Sequence, residues 1–241
     1  MKKPKVIVKG INYWRRVKRD LWLKHIRRKN QNHSFSLIAN DCIGGTISYD
    51  LKEEFRSPTV KVLIPNDCYL SFVTNLEYYL SCEIREKLNS GKSYPVGVLV
   101  PKDDQHIPIE LHFEHDTCWK VPYEKWVKRC RRVNYDNLYF IWHFFDEDDE
   151  RDVRIFDTLN IRKLIILHKP IPGIKNGVVV DCYNEDPYSG KILTVIERTG
   201  KRYLDDIDYI GFLNGKDKRY NEKTALETEV SADLRRHSLE G

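Results

Sequence analysis

The sequence predicts an α/β fold: a layered, largely parallel sheet with helices on both faces and an antiparallel carboxyl-terminal edge. Three observations carry that expectation. Apolar runs of strand length alternate with amphipathic stretches of helical spacing, and Gly, Pro, Asn or Asp close most of the runs. Strands that alternate with helices in this way build βαβ units. A chain of 241 residues, 41% of them hydrophobic, also has enough apolar material for a sizeable core.

The first core strand is expected over residues 34–39, ending at Asn40-Asp41-Cys42-Ile43-Gly44-Gly45, with a short helix from Thr46 toward Glu53. Residues 60–64 form the next strand, closed by Pro65. Asn66-Asp67 then caps a helix running to Leu80 or Ser81, with Leu70, Val73, Leu76 and Leu80 as its buried face. Residues 96–100 and 107–113 are strands on either side of the polar connector Lys102-Asp103-Asp104-Gln105. A helix over 122–133 opens with Pro122, because the first helical turn tolerates its missing N–H. Strands at 138–144 and 163–168 flank an acidic helix start from Asp146 to Glu150. Pro170, Pro172 and Gly173 then break the pattern, and 178–181 with 192–196 supply the antiparallel edge. The chain divides into a basic arm over 1–33, an α/β domain over 34–215, and a polar tail over 216–241 that reads as a loose helix or a disordered segment.

Composition excludes several classes. With 14 Tyr, 9 Phe and 5 Trp the chain is too aromatic to be disordered. No apolar run approaches the roughly 18 residues of a membrane span. Val6-Ile7-Val8, after the basic start, is too short for the core of an export signal. The six cysteines (42, 68, 82, 118, 130 and 182) contain no C-x-x-C pair, and read as reduced thiols of a cytoplasmic protein. Charge is unevenly placed. Residues 1–30 hold twelve Lys/Arg and one acid, Asp20, a net +11, whereas the remaining residues carry 29 basic and 35 acidic groups, a net −6. In the arm Trp14, Val17 and Leu21 follow helical spacing, Trp22, Leu23 and Ile26 widen the stripe, and Arg15, Arg16, Lys18, Arg19 and Arg28 take the other side. Either the stripe packs on the domain, or residues 11–30 lie on an anionic membrane surface; nucleic acid is the least favoured partner.

Three constellations carry candidate chemistry. The first is Asn40-Asp41-Cys42-Ile43-Gly44-Gly45-Thr46, at the carboxyl end of the first core strand, where open α/β sheets place ligands. Its glycines and the following helix start suit an anion, although the Lys of a phosphate-binding P-loop is missing. Asp41 suits a general base or a ligand for a diphosphate-bound metal. Cys42 suits a nucleophile if a histidine lies near it; otherwise the segment is a tight turn with a half-buried thiol. The second is His112-Phe113-Glu114-His115-Asp116-Thr117-Cys118. Along a continuing strand His112 and His115 point to opposite faces, so a zinc site is disfavoured; one histidine is expected in the cleft and the other packed. The third runs from Trp126 to Leu138. Arg129 and Arg132 there suit a phosphate or carboxylate grip or a solvated basic face, and Asn134 to Asn137 suits a turn.

Taken in order, Ser36 to Gly45, Ser57-Pro58-Thr59, Asn75 to Leu80, Tyr94-Pro95-Val96-Gly97, His112 to His115 and Trp126-x-x-Arg129-x-x-Arg132-Val133-Asn134-x-x-Asn137-Leu138 resemble the DUF1919 family of bacterial proteins. The resemblance runs from about residue 35 to 168. The resemblance implies a layered α/β fold and a role in exopolysaccharide or capsule assembly, without a particular reaction.

Together these readings make the leading expectation a glycosyltransferase-like enzyme at the cytoplasmic membrane face. It would move a sugar from a nucleotide-sugar donor to a lipid-linked or polysaccharide acceptor. Asn40, Gly44, Gly45, Thr46, Trp126, Arg129, Arg132, Asn134 and Asn137 would bind substrate. Asp41 or His115 would act as base, with His112 and Cys42 as further catalytic candidates. A divalent metal stays open, because Asp206-Ile207-Asp208 matches a metal-binding D-x-D only formally. The alternatives are O-acyl transfer to a polysaccharide, with Cys42 as nucleophile and His115 as base, and a non-catalytic scaffold of the assembly machinery.

Overall fold

A computed structural model describes residues 5–144, 149–180, 191–194 and 196–215. The expected tail after Gly215 and Cys182 lie outside the described residues. The described residues form two compact units, one of residues 33–166 and 171–177, the other of the described residues among 1–32, 167–170 and 178–215.

The described strands form two sheets. Strands β1 (Ser36–Ala39), β5 (Leu138–His143), β6 (Lys163–Leu167) and β7 (Gly177–Val179) form the first, in the order β1-β5-β6-β7. β1 pairs parallel with β5, Ala39 opposite Ile141, and β5 pairs parallel with β6, Ile141 opposite Leu164. At the edge, the bonds from Ile165 N–H to Asn176 O and from Val180 N–H to Leu167 O advance in the same direction along both chains. That edge is therefore parallel as well. Antiparallel pairing is found in a separate sheet, β2 (Glu83–Glu86), β3 (Val96–Val100) and β4 (Ile109–His112), in the order β2-β3-β4. The strand expected at 192–196 is instead helical, α7 (Lys191–Thr194).

β5 and β6 are buried along almost their whole length, as central strands of a parallel sheet must be. Helices cover both faces. α2 (Ile43–Leu51) lies on the Leu37 and Ala39 side, where its Gly44 meets both. On the other side Trp142 of β5 meets Tyr69 of α3 (Asn66–Thr74) at 5.2 Å and Phe156 of α6 (Glu150–Thr158) at 5.1 Å, edge to face. Such aromatic pairs contribute about 0.5–1.5 kcal/mol each beyond their area. α6 begins at Asp149, whose carboxylate accepts the Arg151 N–H as a cap.

Two expected elements change. The helix from Asn66 breaks at Asn75 and resumes as α4 (Leu76–Leu80), which rotates the buried face onto Tyr69, Phe72, Val73, Leu76 and Tyr79 and leaves Leu70 and Leu80 half-buried. Residues 60–64 are no strand. Val62 N–H turns back to Thr59 O, and Lys61 sits at φ 62° in the left-handed region, so only Leu63 pairs, with His112. α5 runs Lys120–Cys130, and a 3-10 turn over Tyr135–Asn137 leads into β5.

The second unit joins α1 (Lys5–Lys29) to the carboxyl-terminal elements: a 3-10 turn over Tyr203–Asp206 and α8 (Tyr209–Leu213). Arg19, expected on the solvated side of α1, is 5% exposed and ion-paired with Asp205. Ile26 is buried as well, Lys201 lies 4.2 Å over the Trp22 ring, and Asn32 and Asn214 tie the helix end to Leu213 and Lys29. Trp14 and Leu21, expected on one stripe with Trp22 and Ile26, are instead exposed. Among the described residues no helix is long and apolar enough to cross a membrane.

Candidate functional site

The carboxyl ends of β1 and β5 lie side by side because the strands are parallel neighbours. Asn40, the first residue beyond β1, is fully buried and its amide joins three segments. Nδ2 donates to His143 O at 2.8 Å and to Asn66 Oδ1 at 2.5 Å, while Oδ1 accepts the His143 N–H at 2.8 Å. Its carbonyl accepts the Ile64 N–H at 2.7 Å. A buried side chain with those obligations holds strand ends together.

Asp41 and Cys42 follow, at the start of α2. Asp41 Oδ1 accepts the Ile43 N–H at 2.8 Å, and Oδ2 lies 2.6 Å from His143 Nδ1. Cys42 takes the position before the first helical turn, with a helical backbone. Its Sγ lies 3.2 Å from His115 Nε2.

The local fold explains that meeting. β4 stops at His112, and Asp116 N–H closes a turn onto Phe113 O, turning Glu114 and His115 outward. The same strand is tied to the β1 corner by Leu63, bonded both ways to His112, and by Ile64, bonded to Asn40. His115 therefore comes to Cys42 while His112 stays on the sheet, its Nδ1 3.3 Å from Tyr94 Oη and its Nε2 3.4 Å from Glu110. His115 is exposed, and the His112 side chain is 12% exposed. Cys118 is exposed, and among the described residues no group of three or more His, Cys, Asp or Glu is arranged to hold a metal.

Burial, first, and then the charges of Asp41 and Glu114 push the Cys42 thiol up to about 12, with Lys61 pulling the other way. A thiol held that high is neutral near pH 7, and ionising it there needs a base in contact with it. His115 is the base in contact.

The other sequence-derived residues do not converge on this corner. A Cβ at Gly44 would stand 3.0 Å from Leu37 O, and one at Gly45 2.9 Å from Val60 Cγ1. Both glycines let α2 pack closely on β1 and on the 57–62 segment. Thr46 is half-buried and spends its N–H on Cys42 O. Arg129 donates to Val60 O at 2.9 Å and lies over the Phe55 ring; Arg132 pairs with Glu54 at 3.3 Å. Trp126 is core, against Phe72. Asn134 and Asn137 bond to Ser34 and Ser36, at the amino end of β1, the opposite end of the strand from Cys42.

His143 is the site residue that was not anticipated. It is 3% exposed, ending an otherwise apolar strand beside β1. A polar residue closing a buried strand at the same sheet edge as Asp41 is the signal that points to it.

Comparison with known proteins extends the resemblance well beyond residues 35–168. A family model described as a domain of unknown function (DUF1919) matches residues 14–214, from α1 through α8. An uncharacterized protein of Haemophilus influenzae is 30% identical over 190 residues, covering 78% of this chain and 88% of that one.

Proposed function

The chain belongs to the DUF1919 family, and we propose that it is a transferase that carries an acyl group on Cys42 and passes it to a hydroxyl of a surface polysaccharide or its lipid-linked precursor. One observation carries the reading: Cys42 Sγ stands 3.2 Å from His115 Nε2 on a half-exposed corner at the carboxyl end of β1. A nucleophile within reach of a base is the arrangement covalent acyl transfer requires. The polysaccharide acceptor rests on the resemblance alone.

The steps follow from that contact. With its Nδ1 protonated, His115 accepts the Cys42 proton at Nε2 as Sγ bonds to the carbonyl carbon of an acyl thioester donor. The donor's C–S bond breaks, and His115 returns the proton to the departing thiolate. An acceptor hydroxyl then loses its proton to His115 as its oxygen bonds the acyl carbon, and the leaving Cys42 sulfur takes that proton back. Asp41 and His143 touch no reacting atom in this scheme. They fix the backbone on which Cys42 stands.

A second reading, glycosyl transfer from a nucleotide sugar, is favoured by the Asp41 carboxylate, held at the strand end beside His143 and able to take a hydroxyl proton. Intact-mass measurement after incubation with acetyl-CoA separates the two. One acyl group is expected on the wild-type chain, mapped to Cys42, absent in Cys42→Ala and formed about 10²- to 10⁴-fold more slowly in His115→Ala. Absence of an adduct, together with a melting-temperature rise on adding one nucleotide sugar, would overturn acyl transfer in favour of the second reading. No adduct and no shift with either donor would favour the scaffold.

A further inference from the structure

α1 has two apolar sides, and the second unit uses one of them. Its inner side carries Arg19, Trp22 and Ile26, closed by Asp205 and Lys201. The chain at Gly200, with φ at +86°, packs so closely on Lys18 and Arg19 that a Cβ there would stand 2.6 Å from Lys18 Cβ. That side has no room for a further partner.

The outer side is different. Trp14 and Leu21, seven residues apart and hence on one side of the helix, are 63% and 60% exposed, and Tyr13 beside them is 64% exposed. Lys24 and Arg28 continue the same line at i+3 and i+7 from Leu21, both exposed. The stripe is apolar and aromatic in its first half and cationic in its second. It lies in a segment of net +11, on a chain otherwise −6.

We propose that this outer face of α1 binds an anionic lipid surface, with Trp14 and Leu21 entering the boundary below the headgroups and Lys24 and Arg28 meeting lipid phosphates. Indole and phenol rings settle at headgroup depth, and basic side chains along the same helix draw it to negatively charged lipid. The exposed apolar residues favour lipid over nucleic acid, whose phosphate backbone is met by cations and hydrogen-bond donors alone. The helix lies along the surface: among the described residues none has the length and apolarity to cross it.

The test uses the full chain with vesicles of phosphatidylcholine, with and without about one third phosphatidylglycerol, read by co-sedimentation and tryptophan emission. Binding is expected to the anionic vesicles only, to weaken as salt rises, and to fall on the order of tenfold in Trp14→Ala and again in Leu21→Ala. Trp14→Phe keeps the binding and removes most of the emission shift. Leu88→Ala, an exposed apolar position in the other unit, changes neither. Circular dichroism of each variant confirms that the helix content is retained. Unchanged binding in the Trp14→Ala/Leu21→Ala double variant would overturn the proposal, leaving plain charge attraction. So would failure to bind vesicles alongside salt-sensitive binding to duplex DNA.

Discussion

Asp205 and Asp41 are both aspartates paired with a basic side chain, yet their surroundings differ in kind. The Asp205 side chain is wholly buried and closed by three donors: the Arg19 guanidinium, the Arg202 N–H at 2.7 Å and the Tyr209 hydroxyl at 3.2 Å. The Asp41 side chain is 16% exposed, bound to His143 and the Ile43 N–H, and the residue after it is a half-exposed thiol in contact with a second histidine. The first carboxylate has its capacity spent on holding α1 to the turn before α8. The second spends its capacity on fixing a strand end, and places its charge where the neighbouring thiol feels it. Burial and pairing alone do not distinguish a staple from a site; the chemistry of the next neighbour does.

The largest effect that sharpens this contrast is expected at Arg19. Arg19→Ala leaves the Asp205 charge buried without its cation, which costs about 3–5 kcal/mol. Chemical denaturation should show that loss, while the alkylation rate of folded Cys42 stays at the wild-type value. A changed Cys42 rate in the folded protein would show that the staple and the site are coupled, and the comparison would fail.

Asn40→Ala comes next. It removes both bonds to the His143 backbone and the one to Asn66, and leaves the buried His143 N–H without its acceptor, at a cost of about 1–3 kcal/mol. Unlike Arg19→Ala, it should also disturb the site: the Cys42–His115 contact depends on the β1 end, so adduct formation with an acyl thioester should fall along with stability. Stability lost with adduct formation unchanged would assign Asn40 to the sheet alone.

How far the fold and site were legible in the sequence follows from which contacts are local. The α/β class, the corner at Asn40-Asp41-Cys42 and the histidine pair could be read from strand-length runs and the residues that close them. Cys42 next to His115 was legible only as a condition, because it needs β4 to stop at His112 and the Leu63 and Ile64 bonds to draw that stop toward β1. His143 was hidden for the same reason: nothing in the residues around 138–144 reveals that β5 is the neighbour of β1. Two adjacent glycines at a strand–helix turn fit a phosphate loop and a tight helix contact equally well, and the distances to Leu37 and Val60 show the tight contact. The 60–64 run reads as a strand by its valines, yet the positive φ at Lys61 turns it.

The smallest change tests the electrostatic half of the comparison most directly. Burial holds the Cys42 thiol near 12, with Asp41 the next contributor. The folded thiol is thus raised above its unfolded value of 9.0. Its contribution to stability is fully present below pH 9 and is lost as pH climbs from there toward 12. Asp41→Asn removes one negative charge and keeps the shape, so the folded thiol should ionise at lower pH while burial still keeps it above 9.0. Two results follow with opposite signs. Iodoacetamide alkylation of Cys42 at mildly alkaline pH, followed peptide by peptide because Cys118 is exposed, should rise by up to about tenfold, the gain for one unit of pKa. The alkaline loss of stability attributable to Cys42 should shrink, because the gap between folded and unfolded values narrows. Asp205→Asn should do neither. If Asp41→Asn leaves the alkylation rate of Cys42 where it was, the charge of Asp41 does not reach the thiol, and the carboxylate beside the thiol is a staple like the one beside Arg19.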